Sequence, residues 1–170
     1  TEGNVEIIYT NENPNFVHDM NGFKVSVDAY EIAKVTDMNG DFYIEFDDQT
    51  DGYVITAKVT LDNTTDKAMY YNSNLLIQLT NESDYYQSGR TFVREEYPKS
   101  SIEEETSKWG AGEKVTGLVT FPLTNDEFDA LATVKPKLVI EGGLADNANF
   151  SGMYREKAIF DFTYSAIFSV

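Results

Sequence analysis

Apolar and polar residues alternate along most of this chain. In VITAKVTL at 54–61, Ile55, Ala57, Val59 and Leu61 share one face, and Thr56, Lys58 and Thr60 share the other. VTGLVTF at 115–121 places Val115, Gly117, Val119 and Phe121 together. AIFDFTY at 158–164 groups Ala158, Phe160, Phe162 and Tyr164 opposite Asp161 and Thr163. The same rhythm runs through 23–27, 42–46, 75–79 and 137–140. A period of two marks strands, and a single wet face marks antiparallel sheets. Asn39-Gly40, between 30–36 and 42–46, is a two-residue hairpin signal. Asp51-Gly52, the run Asp62-Asn63-Thr64-Thr65-Asp66 and Gly142-Gly143 punctuate the other strands. Helix is scarce. Thr124-Asn125-Asp126-Glu127 spells a capping box ahead of Phe128, Leu131 and Ala132, and Ser101-Ile102-Glu103-Glu104 offers a second short start. Roughly seven to nine strands with turns at this spacing predict an all-β antiparallel sandwich carrying one or two short helices.

The organisation follows from the same pattern. Residues 1–20, rich in Asn, read as an N-terminal arm with one strand at 5–9, and 21–170 read as a single sandwich domain. The stretch 81–112 alternates poorly and is polar, which predicts a long loop or an edge-strand insert with a functional role.

Composition narrows the partners. The 170 residues hold 41% hydrophobic side chains, with 11 Tyr and 11 Phe, enough for a substantial core. Thirteen basic against 29 acidic side chains give a net charge of −16. A field of that sign repels nucleic-acid phosphates and anionic lipid headgroups, and leaves cations and basic partners open. Without cysteine there are no disulfides, thiolate metal sites or cysteine nucleophiles. No apolar run approaches the roughly 20 residues that span a bilayer. The opening Thr1-Glu2-Gly3-Asn4 lacks Met and reads as a mature or trimmed start from which a signal or lipid anchor has been removed.

Candidate chemistry is sparse. Gly110-Ala111-Gly112-Glu113-Lys114 looks at first like a phosphate cradle, but a P-loop needs a helix after its lysine and here a strand follows. Residues 37–52 are acidic, and Asp37, Asn39, Asp41, Asp47, Asp48 and Asp51 supply the oxygen ligands that calcium favours, at a spacing unlike an EF-hand. Calcium is therefore the one cofactor left open. His18 is the only histidine, so a two-histidine zinc site is out of reach, and no nucleophile elbow exists to recruit it. A carboxylate-based hydrolase requires only two acids, but no pair stands out, and an enzyme is not expected. Aromatics are the better candidates: Tyr85, Tyr86, Phe92, Tyr97 and Trp109, with the Tyr70-Tyr71 doublet nearby in sequence, suit an exposed platform for a protein or a glycan. Asn63, Asn81 and Asn149 begin sequons, a match that is frequent by chance.

One order of motifs is distinctive. VITAKVTL runs into Asp-Asn-Thr-Thr-Asp-Lys at 62–67, aromatics and then NLLIQL; later a small-residue turn ending Gly112-Glu113 precedes KVTGLVTFPL. Across 54–141 this resembles uncharacterised immunoglobulin-like (telokin-like) extracellular domains of Gram-positive bacterial lipoproteins. The resemblance implies an immunoglobulin-like sandwich, exported and tethered by a lipidated cysteine upstream. It gives structural roles to Asn63 at the strand exit, Gly112-Glu113 at the turn, and Gly117 and Phe121 as inward positions. Ala111 stands where the family favours Pro, and 81–108 is longer than its pattern. The expected function is a non-enzymatic surface module that binds a protein or glycan, or spaces other domains. A calcium-dependent domain is the alternative, and a hydrolase the third reading.

Overall fold

The structure is a computed structural model and describes residues 3–38, 46, 49–72, 77–80, 84–102, 107–133 and 135–164. Its elements are β1 (Asn4–Asn11), β2 (Phe16–Met20), β3 (Phe23–Thr36), β4 (Gly52–Asn63), β5 (Met69–Tyr70), β6 (Ile77–Thr80), β7 (Tyr85–Gln87), β8 (Lys108–Trp109), β9 (Lys114–Thr124), α1 (Asn125–Ala132), β10 (Lys137–Ile140) and β11 (Ala158–Asp161). One sheet runs β1-β3-β4-β9 with β2 also paired to β3; a second runs β11-β10-β6-β7; β5 and β8 form a two-stranded ribbon. All these pairings are antiparallel, as the single wet face predicts. The all-β sandwich expected from the pattern is the fold observed. Eleven strands are present among the described residues, more than the seven to nine expected, because several pieces are only two to four residues long.

The expectation of an N-terminal arm with one strand is corrected. Residues 4–20 supply two strands that lie end to end along the same edge of β3: β2 pairs with 23–27 and β1 with 30–36. Asn21 (φ 55) and Gly22 (φ 104) form the tight turn joining β2 to β3, with both φ angles positive as a primed hairpin turn requires. Strand β3 serves both neighbours because it carries a bulge. The register with β4 slips between Val27 and Ala29, leaving Asp28 unpaired. Phe23, Val25 and Val27 before the bulge, and Tyr30 and Ile32 after it, therefore all point into the core despite opposite parity. Asp28 is held by hydrogen bonds from Ser26 Oγ (2.9 Å) and Thr60 Oγ1 (2.5 Å) on the outer face.

The core lies between the sheets, where Ile55, Val59, Leu61 and Phe121 of the first meet Leu138 and Ile140 of the second. Helix α1 begins as predicted: Thr124 Oγ1 accepts from Glu127 N at 3.1 Å, and Glu127 Oε1 accepts from Thr124 N at 2.8 Å. It closes one end of the sandwich through Phe128, stacked 3.8 Å from the Tyr53 ring, and through buried Leu131. The hairpin at Asn39-Gly40 and the strand at 42–46 lie outside the described residues except for Phe46, and the Ser101–Glu104 start lies partly outside them.

Asn63 organises the exit from β4. Its side chain is 1% exposed, and Nδ2 donates to the carbonyls of Lys67, Trp109 and Gly110, each at 3.0 Å. Its Oδ1 accepts from Thr65 N at 3.1 Å and Thr65 Oγ1 at 2.6 Å. The backbone is tied to the same turn, with Asn63 N donating to Glu113 O and Gly112 N to Asn63 O. Glu113 in turn accepts from Gly110 N and Ser101 N, both at 2.8 Å. Burial pushes its pKa up, but the hydrogen bonds from Ser101, Gly110 and Ser100 outweigh that and hold it below the ordinary value.

The free edge of β9 is covered by the chain at 89–98. Gly89 and Thr120 exchange two backbone hydrogen bonds at 2.9 Å, and Leu118 N donates to Glu96 O at 2.8 Å. A side chain at Gly117 would sit 2.5 Å from Glu96 O and 2.6 Å from Pro98 N. Glycine there admits the close approach of a neighbouring backbone.

Candidate functional site

The five aromatics expected to form one platform do not share a surface. Tyr85 is 64% exposed on β7, and Phe92 is 42% exposed. Tyr86 is half-buried against the core, and burial, followed by the Asp84 and Glu127 carboxylates, raises its phenol pKa. Trp109 and Tyr97, at 1% and 8% exposure, are core residues, and the expectation for both is corrected. Trp109 is drawn inward because its indole N–H finds the Tyr71 carbonyl at 2.9 Å. Tyr97 packs on the core beneath the Arg90 guanidinium, 5.0 Å from its ring centroid. In the other doublet Tyr71 is buried, donating to Glu141 O at 2.8 Å, and Tyr70 is half-buried.

The acidic set is only partly described, since Asn39, Asp41, Asp47 and Asp48 lie outside the described residues. Asp51 Oδ1 accepts from Asp37 N at 3.1 Å and Thr50 Oγ1 at 3.2 Å, and Asp37 Oδ2 accepts from Asn4 Nδ2 at 3.1 Å. Both carboxylates thus already serve as local acceptors. Among the described residues no three His, Asp or Glu side chains gather in a metal-ligating group. The buried polar side chains among them include no carboxylate. His18 lies buried on the inner face of β2 and donates from Nε2 to Glu156 O at 2.8 Å, with its ring against Tyr154. Lys114 is exposed on β9, and Asn63 is too buried to accept a glycan.

What the sequence reading missed lies on the outer face of the five-stranded sheet. A groove of about 250 Å³ is lined by Val5, Ala33, Val35, Met38, Val54 and Phe92, with Gly3, Glu31 and Thr56 at its margins. Val5 and Ile7 of β1 are 63% and 56% exposed. The register sets Ile7 opposite Ala33, Ala33 opposite Val54, and Val54 opposite Pro122, so one apolar row crosses four strands. Beneath the groove Val35, Met38, Phe46 and Val54 form a small second core. Phe92 stands at its lip with φ 69, a left-handed backbone unusual for a bulky side chain, and its ring centroid lies 6.4 Å from that of Phe46. The hollow continues along the sheet past Thr10, Asn11 and Glu12, and then past Lys58, Glu95 and Lys99. The signal was present in the sequence. Val54 falls on the Thr56–Lys58–Thr60 face of β4, and 30–36 is apolar on both faces.

Comparison with known proteins adds family and fold. The profile of a family described as "Domain of unknown function (DUF5068)" matches residues 1–165. No curated protein matches the chain. The fold is similar to that of a functionally unknown protein from Listeria monocytogenes EGD-e, with 19% identity and a TM-score of 0.75 over 94% of this chain and 88% of the other. It is also similar to the yjhA protein from Bacillus subtilis, with 14% identity and a TM-score of 0.53 over 89% and 99% of the two chains. At these identities the likeness is one of fold alone.

Proposed function

This chain belongs to the DUF5068 family, and we propose that it is a non-enzymatic binding module that holds an apolar segment of another protein on the outer face of its five-stranded sheet. The groove between Val5 and Phe92 carries this reading. Single exposed apolar residues are ordinary on any surface. Here Val5, Ile7 and Phe92 cluster around a hollow floored by Ala33 and Val54, in a chain of net charge −16. Such patches mark interaction sites. A bulky residue held in left-handed backbone costs on the order of 1–3 kcal/mol, and strain of this kind concentrates at functional positions. A polypeptide is favoured over a glycan because, among the described residues, Glu31 and Thr56 are the only polar side chains lining the groove, too few to satisfy a sugar's hydroxyls.

The immunoglobulin-like character, export and tethering through an upstream lipidated cysteine belong to the same proposal and rest on the resemblance of residues 54–141. The gene's upstream reading frame tests that setting: a signal peptide ending in a lipobox is expected, and a cytoplasmic start overturns it.

The binding function is tested with isotope-labelled protein and short synthetic peptides bearing Val, Ile or Phe at alternate positions. Resonances of Val5, Ala33, Val54 and Phe92 are expected to shift on titration. Phe92→Gly, which relieves the left-handed strain, is expected to abolish the shifts and leave the melting temperature nearly unchanged. Shifts with neutral oligosaccharides alone, or with nothing in either panel, overturn the reading.

A further inference from the structure

The edge beside the groove specifies how its ligand is held. Among the described residues, strand β1 pairs on one side only, with β3, and no other backbone hydrogen bond reaches it. Alternate residues of such an edge direct both N–H and C=O outward, at a spacing that only another polypeptide backbone matches. Resting on the groove as the binding site, we propose that the partner adds an extended segment beside β1, pairing along Asn4–Ile7 and running on past the bulge at Ile8 to the Asn11 end, with apolar residues at alternate positions and Lys or Arg at both flanks.

The other edges show what protection looks like in this molecule. The edge of β9 is occupied by Gly89 and Glu96 and carries Pro122, which has no N–H to offer. Strands β7 and β11, at the edges of the second sheet, are three and four residues long. Strand β1 has eight residues, NVEIIYTN, with neither Pro nor Lys, and leaves Val5 and Ile7 exposed. Short length, proline, lysine, a bulge and cover are the usual guards of an edge, and at β1 only the bulge is present among the described residues. An added strand would carry the Ile7–Ala33–Val54 row one strand further, so its residues on the groove side must be apolar.

Charge sets the flanks. Along β1, Glu6 stands opposite Lys34, whereas Asp37 sits at the Asn4 end and Glu12 just past the Asn11 end. Both ends of the edge are therefore acidic, in a molecule of net charge −16. A second copy would bring like charges together at both ends, and a segment with basic flanks would meet opposite ones.

The test uses the nine-residue peptide Lys-Lys-Val-Thr-Val-Thr-Val-Lys-Lys, its alternately N-methylated form and its Glu-flanked form. At saturation, exchange of the outward amides within residues 4–7 is expected to slow by roughly tenfold or more. The N-methylated peptide is expected to give no slowing, and added salt to weaken binding. Val5→Lys combined with Ile7→Lys, at two exposed positions, is expected to abolish binding without moving the melting temperature. If Ala33, Val54 and Phe92 respond but the β1 amides do not, and the N-methylated peptide binds as well, strand addition is overturned and the groove reading survives. If no peptide perturbs either region, both fall. Slowing that depends on protein concentration without peptide means a second copy occupies the edge and overturns the proposal, as does equal binding of the Glu-flanked form.

Discussion

Replacing Asn63 by Ala tests the link between the motif order and the fold. The side chain donates from one amide nitrogen to three carbonyls and accepts twice from Thr65, at 1% exposure. Truncation leaves the Trp109 carbonyl buried without that donor. Each hydrogen bond contributes about 0.5–1.5 kcal/mol net, and a stranded buried partner adds about 1–3 kcal/mol. Two donor hydrogens and the Thr65 pair then give an expected loss of about 3–4 kcal/mol. In a chain of this size each kcal/mol moves Tm by about 2–4 °C, so a fall of roughly 10 °C follows. Urea unfolding followed through Trp109, the only tryptophan and a buried one, measures it directly. Asn63→Asp keeps the volume but turns a carboxylate toward the three carbonyls, and should be at least as damaging. A loss under about 1 kcal/mol for both variants, at unchanged slope, would refute the reasoning, because it would mean water replaces the amide without cost.

Other consequences are as direct. Gly117→Ala places a methyl 2.5 Å from Glu96 O, so it should cost about 1–3 kcal/mol and speed exchange of the Leu118 and Thr120 amides as the 89–98 cover lifts; a wild-type exchange pattern would contradict this. Glu113 has a lowered pKa in the folded state, so its contribution is fully present above about pH 4.5 and is lost as the pH falls through the folded value. Glu113→Gln should therefore be less stable than the wild type at pH 7, with the gap narrowing below pH 4.5 in denaturant titrations; a gap that stays constant would dissociate the carboxylate charge from the effect. Calcium at millimolar concentration should leave the melting curve in place, because the Asp37 and Asp51 carboxylates already serve as backbone and side-chain acceptors; a rise in Tm would restore the acidic segment as a metal site.

Strands and their inward faces were legible because alternation is local: Ile55 to Leu61 and Val115 to Phe121 declare their core face without reference to anything distant. The helix cap and the Asn63–Gly112–Glu113 turn were legible for the same reason. The placement of β2 was not, although Asn21-Gly22 is the same hairpin signal as Asn39-Gly40, because His18 and Asp19 interrupt a short apolar pattern. The fate of each aromatic was decided by partners far along the chain. Trp109 is buried by a carbonyl at position 71, and Phe92 is turned outward by a left-handed backbone. The groove was least visible, since its row of Ile7, Ala33, Val54 and Pro122 draws one residue from each of four strands. Any one of them reads as noise on a polar face.

Asp28 acts on β3 as a frameshift acts on a message. Residues 23–27 and 30–36 are read in opposite phases, and the single unpaired position lets both phases present the core. Removing that position would keep every side chain but turn either Phe23, Val25 and Val27 or Tyr30 and Ile32 to the wrong side. Adding a residue elsewhere between 23 and 36 would do the same unless another were removed. The length of this segment is thus constrained more tightly than the identity of most residues in it. Relatives that keep the fold are expected to differ freely in the letters of β3 and hardly at all in their number.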